Sequence, residues 1–164
     1  RVFEFVDQNF IIYPILASFV FLFFNFRKKA KCFMGDIGSM GIAFWVLGLL
    51  GLLIIKTQEL KYLLFLTVYG VEVVLTILQR LKSKENIFEA HRRHLYQLFS
   101  NEKKISHLIV SSVYAFLQLL INITVILLDL PIWIIFVVII IPSLILYIIT
   151  KAKIEKQIKV INNN

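Results

Sequence analysis

Ile132-Trp133-Ile134-Ile135-Phe136-Val137-Val138-Ile139-Ile140-Ile141-Pro142-Ser143-Leu144-Ile145-Leu146-Tyr147-Ile148-Ile149-Thr150 contains no charged side chain and is bounded by Asp129-Leu130-Pro131 and Lys151. As a helix rising 1.5 Å per residue, such a run reaches about 28 Å, close to the roughly 30 Å hydrocarbon core of a bilayer. It cannot cross lipid in any open extended form, because each unpaired backbone group there costs several kcal/mol. This stretch therefore predicts a transmembrane helix. Working outward, four more blocks repeat the pattern: Ile105–Leu128, Tyr62–Leu78, Met40–Ile55 and Phe10–Phe26. The expected fold is all-α, a polytopic bundle of about five spans forming one integral-membrane domain over residues 1–164.

Composition agrees. The chain is 59% hydrophobic with a mean hydropathy of +0.83, and its apolar residues come in blocks rather than dispersed. The formal net charge is +8, but the basic residues cluster between blocks. Arg27, Lys28, Lys29 and Lys31 follow the first span, and Arg80, Lys82, Lys84, Arg92, Arg93, Lys103 and Lys104 follow the third. Lys151, Lys153, Lys156 and Lys159 follow the fifth. Alternating basic loops predict an inner-membrane (cytoplasmic-membrane) protein with these loops and the C-terminal tail in the cytoplasm. The pattern is one of topology and lipid contact, with no nucleic-acid partner expected. Cys32 is the single cysteine, so no internal disulfide forms.

Two of the basic loops carry polar residues that topology does not require. Phe33-Met34-Gly35-Asp36-Ile37-Gly38-Ser39 sets a carboxylate between glycines at the mouth of the second span. Asp36 is a natural Mg²⁺ ligand, since that ion favours a carboxylate plus substrate phosphate oxygens. A helix starting near Ser39 is expected to aim its N-terminal amides at an anion. The plainer reading is that Asp36 and Ser39 cap the helix. In the second loop, His91-Arg92-Arg93-His94 combines guanidinium forks suited to phosphate with imidazoles able to give or take a proton near neutral pH. Phe88, Leu95 and Phe99 at helical spacing predict an amphipathic helix on the interface. Two histidines without a third ligand fall short of a zinc site. Glu72 lies inside the third span, where a charge must face protein or water. Gln79 follows it by two turns.

These residues, together with Phe23-Phe24-Asn25, Ala30-Lys31 and Asn86-Ile87-Phe88-Glu89-Ala90-His91-Arg92-Arg93-His94-Leu95-Tyr96-Gln97, give the chain a resemblance to a known family. It resembles the polyprenyl-phosphate N-acetylhexosamine-1-phosphate transferases (glycosyltransferase family 4), most closely the branch that starts bacterial surface-polysaccharide synthesis. The resemblance covers about the first 100 residues; the last two spans match in hydropathy alone. It implies an Mg²⁺-dependent enzyme, with Mn²⁺ as an alternative ion. A polyprenyl phosphate, such as undecaprenyl phosphate, attacks a UDP-N-acetylhexosamine and releases UMP. By the same resemblance Asp36 is the metal-ligating or catalytic aspartate. Asn25, Phe33 and Gln79 hold the nucleotide, Arg92 and Arg93 contact diphosphate, and His91 and His94 are the outer members of a histidine motif. Arg93 stands where that motif often has another histidine. The family places an aspartate pair on an earlier cytoplasmic loop, and no Asp-Asp occurs here. The chain is therefore expected to be the C-terminal half of such an enzyme, inactive without the N-terminal half. A homodimer is among the assemblies open to it. The competing expectation is a non-catalytic scaffold or transporter-like protein on the same bundle, which needs neither Mg²⁺ nor Asp36.

Overall fold

The computed structural model describes residues 6–86, 89 and 94–162, with side chains as far as residue 157. Helix α1 is Gln8–Asn25, α2 is Gly35–Thr57, and α3 is Thr67–Lys82, entered through a 3-10 turn over Leu60–Leu66. A single turn, α4 (Leu95–Gln97), runs into a π-helix over Leu98–Glu102, followed by α5 (His107–Leu127) and α6 (Ile132–Asn162). No strand occurs among the described residues. Five segments are long and apolar enough to cross a bilayer: Gln8–Asn25, Gly35–Thr57, Leu60–Lys82, His107–Leu127 and Ile132–Gln157. They coincide with the five blocks read from the sequence, and the protein is membrane-embedded. Large apolar side chains on these helices face outward, as in Phe19 at 64% and Trp133 at 71% exposure, which in lipid is a solvated surface.

Two boundaries differ from expectation. The second span begins at Gly35 rather than Met40, and its 23 residues reach about 35 Å. Helix α6 continues for 31 residues, about 46 Å, so it outruns the apolar core and carries its basic end beyond it.

The chain forms two units, Arg1–Tyr62 and Leu63–Asn164. In the first, the Trp45 indole N–H of α2 donates to the Phe10 carbonyl of α1 at 3.1 Å. In the second, α3 packs against both α5 and α6. Its entry is a break in the helical ladder, and such a break inside a bilayer leaves backbone groups needing partners. Gln118 of α5 supplies them: its Oε1 accepts from the Val68 N–H at 2.9 Å, and its Nε2 donates to the Leu64 carbonyl at 3.2 Å. The Thr67 hydroxyl donates to the same carbonyl at 2.7 Å.

The segment after residue 94 departs most from the sequence reading. Leu95 is buried with Tyr147 and Ile154, and Val71, Leu75, Leu98 and Phe99 pack around them. The apolar residues expected to rest on the lipid interface instead close the interior between α3 and α6. Phe88 lies outside the described residues.

Candidate functional site

In the first unit, α1 ends at Asn25 and α2 starts at Gly35. The connection folds back on α1: the Asn25 side-chain amide donates to the Cys32 carbonyl at 2.9 Å, and the Lys31 N–H donates to the Phe24 carbonyl at 2.9 Å. Arg27 lies over the Phe23 ring at 4.5 Å and donates to the Phe23 carbonyl at 2.7 Å. One face of the Asn25 amide is thus spent on holding the loop. Its Oδ1 has no donor among the described residues. Phe33 is 84% exposed, an uncovered aromatic face beside a basic loop.

Gly35 takes φ +65°, a left-handed conformation that a side chain would strain, and this lets the chain swing directly into α2. Asp36 consequently sits in the first turn of α2 rather than ahead of it. Its negative charge is favourable there, next to the unpaired N–H groups and the positive end of the helix dipole. Ser39 does not cap the helix; its hydroxyl donates back to the Asp36 carbonyl oxygen at 3.0 Å. The Asp36 carboxylate is exposed, and no protein donor holds it among the described residues. An exposed carboxylate with unshared oxygens fits one position in a Mg²⁺ shell whose other ligands are phosphate oxygens and water. Among the described residues there is no group of three His, Cys, Asp or Glu side chains that could hold a metal ion.

In the second unit, α3 presents a polar stripe. Glu72, Thr76 and Arg80 recur every four residues, so they share one face, and they are 4%, 0% and 3% exposed. Each holds a different part of the fold. The Glu72 carboxylate lies 3.7 Å from His94 Nδ1 and accepts from the Tyr96 N–H at 3.3 Å. The Thr76 hydroxyl pairs with the Tyr147 hydroxyl of α6 at 3.0 Å, and the Lys151 ammonium donates to the same oxygen at 2.9 Å. The Arg80 guanidinium donates to the Asn86 carbonyl and, at 3.2 Å, to the Glu89 carbonyl. It also lies 3.6 Å from the Glu85 carboxylate.

His94 stacks on Tyr96 with ring centroids 5.5 Å apart, and its backbone N–H donates to Gln97 Oε1 at 3.3 Å. Glu72, His94 and Tyr96 join Tyr69, Tyr114 and Gln118 around a cavity of about 520 Å³. Burial raises the Tyr96 hydroxyl above its ordinary pKa, helped by the charge of Glu72 and by Tyr69 and opposed by a hydrogen bond with Gln97. Gln79 is half-buried, and its amide donates to Glu155 of α6 at 3.4 Å.

Of the residues singled out in the sequence, Asn25, Phe33 and Asp36 lie together in the first unit, and Gln79 and His94 in the second. His91, Arg92 and Arg93 lie outside the described residues. Sequence reasoning missed Thr76 and Arg80, although their spacing from Glu72 along an apolar helix was a readable signal. No family model, curated protein or solved structure matches this chain.

Proposed function

We propose that the chain forms the C-terminal part of a membrane transferase that moves N-acetylhexosamine-1-phosphate from a UDP-sugar to polyprenyl phosphate. The observation that carries this reading is the exposed, unshared Asp36 carboxylate in the first turn of α2, three residues after the uncovered Phe33 and following the basic run Arg27, Lys28, Lys29 and Lys31 in sequence. A lipid-facing bundle alone needs no such group. The basic residues of alternate connections support a cytoplasmic position for it and for the loop after α3.

In this reading a phosphate oxygen of the lipid attacks the phosphorus bearing the sugar, and the oxygen bridging to the other phosphorus departs with UMP. Asp36 would hold Mg²⁺, which when bound would supply neutralisation of the charge developing on the diphosphate. In the first unit Phe33 offers a stacking surface for the base and the Asn25 amide a hydrogen bond to it; Gln79, in the second unit, is a nucleotide-binding residue by the resemblance alone. By the resemblance, Arg92 and Arg93 are the residues that would contact the diphosphate, a role suited to the guanidinium fork. His94, beside Glu72, is an imidazole of the kind that gives or takes a proton near neutral pH.

The test is UMP release by the full-length protein in detergent, supplied with Mg²⁺, UDP-N-acetylglucosamine or another UDP-N-acetylhexosamine, and undecaprenyl phosphate. Release should require all three and fall at least 100-fold in Asp36→Asn, the order expected when a transition-state charge clamp is lost. Release unaffected by Asp36→Asn, or none with any UDP-sugar, would favour the non-catalytic scaffold.

A further inference from the structure

The loop that follows α3 is fastened to that helix at both ends of its described residues. Where the chain leaves α3, Arg80 reaches forward to the carbonyls of Asn86 and Glu89. Where it returns, Glu72 takes the Tyr96 N–H and faces His94. The two anchors are eight residues apart on one helix face, about 12 Å. Arg80 is only 3% exposed, which matters because a long cationic side chain on a loop-proximal turn ordinarily reaches solvent. Here the guanidinium turns inward. Its planar fork is suited to holding two backbone acceptors while facing one carboxylate.

Lipid-surface binding does not account for this arrangement, since a buried guanidinium donating to carbonyls is unavailable to a headgroup. Helix termination does not account for it either. Ser83 closes α3 through its own N–H to the Gln79 and Leu81 carbonyls. Glu85 and Asn86 add to the geometry: the Glu85 N–H donates to the Arg80 carbonyl at 3.0 Å, and the Asn86 amide donates to Glu89 at 3.3 Å. The backbone and the side chain of Arg80 therefore hold the same short stretch.

We propose that Arg80 is a positioning residue: it sets where the chain departs from α3, at Asn86 and Glu89, as Glu72 sets where it returns, at His94 and Tyr96. The catalytic consequence rests on the transferase reading; the structural one does not. The arrangement also assigns a role to Glu85, whose carboxylate supports Arg80 from the loop side at 3.6 Å.

The experiment combines backbone hydrogen exchange by mass spectrometry with UMP-release kinetics, both on the full-length protein in detergent. In Arg80→Gln, exchange across residues 84–89 should rise at least tenfold while α5 and α6 keep their protection. KM for the UDP-sugar should rise about tenfold, with kcat changing less than threefold. Arg80→Lys should recover part of both effects, because one ammonium replaces a fork. Should Arg80→Gln fail to accumulate, Glu85→Gln carries the test, with an expected rise in exchange of about threefold. Unchanged exchange at 84–89 in a folded variant overturns the proposal, as does an equal loss of protection throughout α3, α5 and α6. If the unmodified protein releases no UMP, the transferase reading fails, and the exchange measurement still decides the positioning role.

Discussion

Replacing Tyr147 with Phe isolates how α6 is fastened to α3. The Tyr147 hydroxyl accepts from the Lys151 ammonium at 2.9 Å and pairs with Thr76 at 3.0 Å. An ammonium only donates, so the phenolic oxygen accepts from Lys151, while in the Tyr147–Thr76 pair either hydroxyl can donate. All three groups are buried, at 8%, 5% and 0% exposure for Tyr147, Lys151 and Thr76. Losing a hydrogen bond to a charged group costs about 2 kcal/mol and losing a neutral one about 1 kcal/mol, so Tyr147→Phe should destabilise by about 3 kcal/mol. Thr76→Val loses only the neutral bond, about 1 kcal/mol. Lys151→Met removes the buried charge itself and should fall within about 1 kcal/mol of neutral, because an apolar side chain of similar length replaces an ion that is costly to desolvate. In that background Tyr147→Phe should cost only about 1 kcal/mol, a coupling of about 2 kcal/mol. Equilibrium unfolding of the full-length protein in mixed micelles reads these values. A coupling below about 0.5 kcal/mol, or Thr76→Val as damaging as Tyr147→Phe, would refute the reasoning.

Gln118→Leu should destabilise by about 2–4 kcal/mol in the same assay, because it leaves the Val68 N–H without an acceptor and weakens the Leu64 carbonyl at a helix break inside the membrane. Thr124→Val, whose hydroxyl only donates back to Leu120 in the same helix, is the control and should change little. The Tyr96 hydroxyl ionises above its ordinary value of 10.0, so the folded state retains a proton that the unfolded chain loses first. Its contribution to stability is present below pH 10 and is lost as pH rises beyond it, in the direction linkage requires. Ultraviolet difference titration of the protein against Tyr96→Phe should show the missing transition on the alkaline side of the other exposed tyrosines.

The five spans were legible because uninterrupted apolar runs admit one solution in lipid. The start of α2 was not, because Gly35-Asp36-Ile37-Gly38 has the composition of a loop. Only Gly35 turns the chain, and Gly38 lies inside the helix beside Met34. The segment around Leu95 and Phe99 misled for a different reason. Helical spacing reports an apolar face without saying whether lipid or protein covers it, and here α3 and α6 supply the cover. Glu72 was correctly flagged as needing protein around it. Arg80 was counted as one more basic loop residue because net charge and positive-inside patterning say nothing about which guanidinium turns inward. The candidate site was readable as residue types, and its anchoring required geometry.

The transferase reading expects the loop before α2 and the loop after α3 both to face the cytoplasm. Cys32, the only cysteine of this chain, marks the first loop, and Ser83→Cys, at an exposed position just past α3, marks the second when combined with Cys32→Ser. In full-length protein freed of any other cysteine, an impermeant maleimide should label both positions in inverted membrane vesicles and neither in intact spheroplasts, with a permeant maleimide confirming reactivity in each case. Labelling from opposite sides would contradict the cytoplasmic assignment of the two loops, and with it the transferase reading.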